Sequence, residues 1–227
     1  MSRRALDLLI AVPACIVSAP LIALFAVLIR LESEGPAIYR QTRSGLGGEP
    51  FEIFKLRTMV QGAEFKGAGL AVTAGDARIT RTGVLLRRTS LDELPNLWNV
   101  LRGEMAIVGP RPTVPSQVER YSAHQRRRLE VLPGLTGWAQ VNGRATLPWS
   151  ERIELDIWYV DHRSLWLDLR IMLRTARQVL GGHGLYHEHA SGGVDLGGPG
   201  AVAVEDEPEA VSTRAAAHCP GVGDNDE

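Results

Sequence analysis

From Leu8 to Ile29 the chain runs 22 residues without a charge, and about 20 apolar residues suffice to cross a bilayer as a helix. The run therefore predicts a membrane-inserted helix. Pro13 and Pro20 fall inside it, with Ser18 two residues before the second, and an interior proline removes a backbone hydrogen bond and kinks a helix. Arg3 and Arg4 precede the run while Arg30, Arg40 and Arg43 follow it, so the positive-inside rule draws both flanks to the cytoplasm. These features predict a re-entrant helix-hairpin over residues 1–34, with the break at Ser18 and Pro20, in preference to a straight span. A cleaved signal peptide is disfavoured because the apolar run continues well past Val12-Pro13-Ala14-Cys15, and the body lacks the cysteines of a secreted protein.

Beyond Gly35-Pro36, strand-like stretches at Ala37 to Gln41 and Phe51 to Arg57 flank the turn-rich Gly45-Leu46-Gly47-Gly48, which predicts a β-hairpin. Leu94 to Leu101 and Ser116 to Leu132 look helical. Leu165, Trp166, Leu169, Met172, Leu173, Ala176, Val179 and Leu180 repeat at helical spacing, with Arg170, Arg174 and Arg177 between them. That is a basic amphipathic helix, and with Trp158, Tyr159 and Trp166 close by, contact with the membrane surface competes with core packing. The pattern as a whole predicts a mixed α/β (α+β) fold: a small compact catalytic domain over residues 35–180, behind the re-entrant helix and edged by amphipathic membrane-surface helices.

Composition changes this picture at one end. Residues 181–227 hold 10 of the 24 glycines and 9 acidic residues with few large apolar side chains, too little apolar surface to offset chain entropy, so a disordered acidic tail is expected. His183, His187 and His189 in that tail read as solvated and not as a metal site. The overall net charge of −1 conceals a body of +7 before residue 181 and a tail of −8 after it.

The densest chemistry lies in Arg87-Arg88-Thr89-Ser90-Leu91-Asp92-Glu93-Leu94-Pro95-Asn96. Ser90 with Glu93 three residues on has the form of a capping box, and either Ser90 or Asp92 is a possible N-cap. Pro95 leans toward Asp92 as the cap, which frees Glu93. A helix N-terminus also favours anions, so the same geometry suits an ionised nucleophile and a bound phosphate. In Val108-Gly109-Pro110-Arg111-Pro112 an arginine stands between two prolines, either a phosphate clamp or a salt-bridge partner in a rigid loop. Lys55 and Arg57, two apart on a strand-like run, share a face that could reach a diphosphate or simply be solvated. In Pro133-Gly134-Leu135-Thr136-Gly137-Trp138, core packing is the better reading of Trp138 than stacking on a base or sugar.

Gly35-Pro36-Ala37-Ile38-Tyr39-Arg40-Gln41, Phe51-Glu52-Ile53-Phe54-Lys55-Leu56-Arg57-Thr58-Met59, Ser90-Leu91-Asp92-Glu93-Leu94-Pro95, Asn99-Val100-Leu101-Arg102-Gly103-Glu104-Met105, Val108-Gly109-Pro110-Arg111-Pro112 and Pro133-Gly134-Leu135-Thr136-Gly137-Trp138 together resemble the bacterial sugar transferase family, the monotopic polyprenyl-phosphate phosphoglycosyl transferases. The resemblance spans roughly residues 3–180. It implies transfer of a sugar 1-phosphate from a nucleotide diphosphate sugar, usually a UDP-sugar, to undecaprenyl phosphate. UMP leaves, and the lipid diphosphate sugar initiates polysaccharide or glycoconjugate assembly. By that resemblance Asp92 attacks the β-phosphorus to give an aspartyl phosphosugar, Glu93 helps hold Mg²⁺, Arg87 and Arg111 contact phosphate, and Ser18 with Pro20 mark the membrane break. The family commonly has an adjacent Ser-Pro pair there, where this chain reads Ser18-Ala19-Pro20. The resemblance is to the minimal form of the family, in the inner (cytoplasmic) membrane with the catalytic domain facing the cytoplasm and phospholipid around its anchor.

The physics suits that chemistry, since a carboxylate attacking a diphosphate meets like-charge repulsion that a divalent cation and fixed guanidiniums offset. Two rival readings belong to other classes. A membrane-attached regulatory protein binding polyprenyl phosphate without turnover predicts lipid binding and no nucleotide release. A nucleic-acid-binding module is suggested by the basic body and Arg126-Arg127-Arg128, but the apolar anchor and the lack of a reader motif argue against it.

Overall fold

The computed structural model describes residues 2–65, 75–143 and 147–181. The acidic tail from residue 182 onward, including the three-histidine tract, lies outside the described residues.

The apolar run forms one helix, α1 (Arg3–Glu32), capped by the Ser2 hydroxyl accepting from the Ala5 N–H. Asp7, Ala11, Ser18, Phe25 and Ile29 are its buried residues, and spacings of four and seven keep them on one face through both prolines. The element is thus a single helix where two arms joined by a turn were expected. Its continuous buried face, packed on the rest of the molecule, supplies the contacts that the missing amides of Pro13 and Pro20 do not. Ser18 donates its hydroxyl to the Cys15 carbonyl at 3.3 Å, inside the helix. The other side is apolar and exposed, with Leu9, Ile16, Val17, Val27 and Leu31 each more than half accessible.

The expected hairpin is present, with β1 (Ile38–Ser44) antiparallel to β2 (Pro50–Leu56) and Ile38 opposite Leu56 at one end, Ser44 opposite Pro50 at the other. Gly47 and Gly48 in the connection take positive φ of 65° and 90°, which glycine adopts without a Cβ penalty. After β2, helix α2 (Arg81–Thr89) leads into a 3₁₀ stretch (Leu91–Asn96) and the short α3 (Leu97–Arg102). Gly83 lets α2 sit directly on the Thr58 carbonyl, where a Cβ would collide.

A second sheet, unanticipated from the sequence, pairs β3 (Ala106–Val108) in parallel with β4 (Gly134–Thr136). Between them the expected helix over Ser116 to Leu132 is broken into α4 (Pro115–Val118), α5 (Ala123–Arg126) and a 3₁₀ turn (Arg127–Leu129). Ser122 starts α5 with a reciprocal capping box to Gln125, which halts any helix arriving from upstream. The chain then forms α6 (Trp138–Asn142), α7 (Trp149–His162) and α8 (Leu165–Leu180).

The main core joins Ala11 of α1 to Ile53, Leu97, Val100, Met105, Trp138, Leu155 and Ile171, so the apolar helix is built into the core and not appended to it. Trp138 is 1% exposed and stacks on Trp158, with ring centroids 4.9 Å apart, as a core residue. On α8 the buried residues are Leu167, Asp168 and Ile171, while Leu165, Trp166, Leu169, Leu173 and Leu180 are exposed. Most of the apolar stripe read from the sequence therefore points away from the core, with Met172 packing against it.

Candidate active site

The site begins with a forced turn. Ser90 adopts φ 59° and ψ 18° at the end of α2, a left-handed conformation unusual for a non-glycine residue. It caps the C-terminus of α2 through its backbone N–H. Its hydroxyl makes no capping bond to the following 3₁₀ stretch, so the capping-box reading of Ser90 and Glu93 does not hold. The reversal instead turns Asp92 and Glu93 inward, leaving them 3% and 6% exposed.

Two asparagines on the same segment then set the distance to the hairpin. The Asn96 side-chain oxygen accepts from the Phe54 N–H at 3.1 Å, and the Asn99 amide donates to the Glu52 carbonyl at 2.6 Å. Strand β2 is thereby held against the Leu91–Arg102 segment, and Lys55 comes to rest with its Nζ 2.7 Å from Glu93 Oε1. Arg111, from the loop after β3, places its Nη2 also 2.7 Å from Glu93 Oε1. Glu93 is clamped between two cations. Burial opposes its ionisation, but Arg111 and then Lys55 outweigh that and hold its carboxyl well below the usual range.

Asp92 is placed differently. Its Oδ1 is buried and has no hydrogen-bond partner among the described residues. Burial, and then the neighbouring negative charge of Glu93, push its carboxyl up to about 6, while Lys55, Arg87 and Arg111 pull the other way. Arg87 is fixed by donating from Nε to Thr58 Oγ1 at 2.8 Å. An orphaned, poorly solvated carboxylate among three cations is what a nucleophile toward phosphorus needs, since solvation that would blunt it is absent and the cations accommodate an incoming anion.

Of the residues singled out in the sequence, Lys55 and Arg111 meet on Glu93 beside Asp92, and Arg87 lies near enough for its charge to act on Asp92. Arg57 lies elsewhere. It sits just past the end of β2, is 6% exposed, and donates to the carbonyls of Ser33 and Glu34 and to the Ser33 hydroxyl. It anchors the C-terminal end of α1; the strand's alternation ends at Leu56, so sharing a face with Lys55 no longer applies. Sequence reasoning missed Asn96, Asn99 and Thr58, polar residues whose partners are main-chain groups or side chains far away in the chain and leave no periodic trace. A cleft beside Glu93 is lined by Lys55, Asn96, Met105, Arg111 and Pro112.

Comparison with known proteins extends this geometry to a family. Residues 1–182 match the bacterial sugar transferase family. The chain is 42% identical over 183 residues to an uncharacterized sugar transferase, EpsL, of Bacillus subtilis, covering 81% of this chain and 89% of that protein. It is 46% identical over 188 residues to a UDP-glucose:undecaprenyl-phosphate glucose-1-phosphate transferase of Caulobacter vibrioides, covering 79% and 70%. A further relative, 43% identical, is the UDP-N-acetylgalactosamine-undecaprenyl-phosphate N-acetylgalactosaminephosphotransferase of Aeromonas hydrophila, of which the matched region covers 44%. With the match spanning both the apolar N-terminal helix and the buried carboxylate site, the chain belongs to the bacterial sugar transferase family and is a transferase.

Proposed function

We propose that this enzyme transfers a sugar 1-phosphate from a UDP-sugar to undecaprenyl phosphate through an aspartyl phosphosugar on Asp92, at the cytoplasmic face of the inner membrane. The observation that carries this reading is the unpartnered buried Oδ1 of Asp92 beside a Glu93 held by Lys55 and Arg111.

In the first displacement Asp92 Oδ1 forms a bond to the β-phosphorus of the UDP-sugar as the bond to the α,β-bridging oxygen breaks, and UMP departs with that electron pair. In the second, an oxygen of undecaprenyl phosphate attacks the same phosphorus and the aspartyl oxygen leaves, restoring the carboxylate. Lys55, Arg87 and Arg111 supply fixed positive charge throughout, at no reorganisation cost during reaction. Burial raises the Asp92 carboxyl while Lys55, Arg87 and Arg111 favour its charged form, which leaves a carboxylate that is poorly solvated and so more reactive.

The donor set also fits a magnesium ion. Glu93 Oε2 makes a long contact with Arg111 at 3.5 Å, and Asp92 Oδ1 has no hydrogen-bond partner among the described residues, while Mg²⁺ characteristically takes one or two carboxylates and completes its shell with phosphate oxygens and water. Glu93, with Asp92 beside it, would hold the ion, which when bound neutralises diphosphate charge.

The two ends of α1 support this membrane placement. Arg4 donates to the carbonyls of Val100 and Leu101, Asp7 accepts from the Ile107 N–H, and Glu32 accepts from the Arg81 and Thr82 N–H groups. Both ends of the apolar helix are thus tied to one domain, which supports insertion from a single face, with the outward side of α8 resting on phospholipid. The test is UMP release by purified protein supplied with undecaprenyl phosphate and individual UDP-sugars. Wild type is expected to release UMP and a folded Asp92→Asn variant is not; near-wild-type release by that variant would overturn the role of Asp92.

A further inference from the structure

A loop with proline on both sides of its working residue has lost two of the amides by which a loop is usually held. Pro110 and Pro112 have no N–H, so the segment around Arg111 is fixed through its carbonyls. Pro110 takes the Gly134 N–H at 2.9 Å and Thr113 takes the Ser44 N–H at 2.8 Å, both from neighbouring strands. The two carbonyls between them take guanidinium donors. Arg43 Nη1 reaches the Pro112 carbonyl at 3.2 Å, and Arg128 Nη2 reaches the Arg111 carbonyl at 2.9 Å.

Arg128 is 3% exposed, on the 3₁₀ turn that follows α5. The same Nη2 meets Asp156 Oδ2 of α7 at 2.5 Å, Nη1 donates to the Tyr121 hydroxyl at 2.7 Å, and the guanidinium lies over the rings of Tyr121 and Trp149. Tyr121 in turn donates to Thr113 Oγ1 at 3.3 Å, at the far end of the same loop. These groups adjoin an apolar cluster of Val118, Tyr121, Ile153 and Ile157. Well-packed apolar residues generally fill such a space as stably as a buried ion pair does. What an apolar residue cannot supply is a directed donor to the Arg111 carbonyl.

We infer that Arg128 is a positioning residue for the transfer reaction: its hydrogen bond to the Arg111 main chain fixes the direction in which the Arg111 side chain meets Glu93 and the substrate diphosphate. The inference rests on the proposed role of Arg111 toward that diphosphate. A guanidinium serves Asp156, Tyr121 and the Arg111 carbonyl at once, whereas a lysine ammonium keeps the charge but lacks the planar fork. Arg128→Lys therefore preserves the ion pair with Asp156 and loosens the loop.

The experiment combines a kinetic cycle with a spectroscopic reading on the full chain. UMP release is measured for wild type, Arg128→Lys, Arg111→Lys and the double variant, with thermal unfolding as the check on folding. The Arg111 Nε–Hε signal, assigned by its loss in Arg111→Lys, is followed by NMR. Arg128→Lys is expected to fold, to lower kcat/KM by about 10–100-fold, as loss of an orienting partner commonly does, and to shift or broaden the Arg111 signal. In the double variant the rate should match Arg111→Lys alone. An unmoved Arg111 signal, or losses that multiply in the double variant, would overturn the inference. If Arg128→Lys fails to fold, Tyr121→Phe removes one partner of Arg128 without burying an unpaired charge, and the same signal must move. Should Arg111→Lys itself retain full activity, the role of Arg111 toward the diphosphate fails, while the signal still decides whether Arg128 orients it.

Discussion

Cysteines placed at Ser2 and Glu34, in a chain with Cys15 and Cys219 replaced by serine, report where the two ends of α1 lie. A straight 30-residue helix is about 45 Å long, enough to cross a hydrocarbon core of about 30 Å, so length alone permits a span. The contacts at its two ends oppose it. If the N-terminal end crossed to the far side, Arg4 would lose the carbonyls of Val100 and Leu101, and Asp7 would lose the Ile107 N–H. Three hydrogen bonds to charged groups at about 1.5–3 kcal/mol each put the loss at roughly 4.5–9 kcal/mol, before the ion pair of Arg3 with Asp168 is counted. That is comparable with the whole stability of an ordinary domain, about 5–15 kcal/mol. An impermeant maleimide applied to intact spheroplasts should therefore label neither cysteine, and after permeabilisation should label both. Labelling of one site from outside and the other only after permeabilisation would refute the reasoning and restore a spanning helix.

Further outcomes follow from the same contacts. Glu93→Gln should raise the Mg²⁺ concentration needed for UMP release, and should also lower the unfolding temperature, because Lys55 and Arg111 lose the carboxylate they share; Mg²⁺ titration of the folded variant checks the first, and an unchanged Mg²⁺ requirement would remove Glu93 from the metal site. Asp156→Ala leaves Arg128 buried without its carboxylate and should cost about 3–5 kcal/mol of stability, read by chemical denaturation. Deleting residues 190–227 should leave UMP release within about twofold of wild type, since the segment is acidic and glycine-rich with little apolar surface to dock and the family match ends at residue 182; a large drop would assign the tail a catalytic role.

The hairpin and α8 were legible in the sequence because each carries its own signal: turn glycines between two β-rich runs, and apolar residues at helical spacing. The direction of the α8 stripe was not, because periodicity marks a face without saying what covers it, and here Leu167, Asp168 and Ile171 take the core side. The pairing of β3 with β4 went unread because three-residue strands brought together from residues 106 and 134 carry no local pattern. At the site, the charged residues stood out by composition, but the left-handed Ser90 that turns Asp92 inward did not. A serine there announces a cap far more often than a reversal. Arg128 was hidden inside Arg126-Arg127-Arg128, where three identical side chains gave no sign that the last is buried and Arg127 meets Asp161 at the surface.

The central claim is that the sugar phosphate passes through a bond to Asp92, and intact-protein mass spectrometry tests it most directly. Purified enzyme mixed with an accepted UDP-sugar and Mg²⁺, without undecaprenyl phosphate, should gain the mass of one sugar phosphate as UMP appears. The adduct should map to the peptide carrying Asp92, be absent in Asp92→Asn, and disappear when undecaprenyl phosphate is added. UMP released only in the presence of the lipid, with no adduct at any quench time, or an adduct on a residue other than Asp92, would contradict the account.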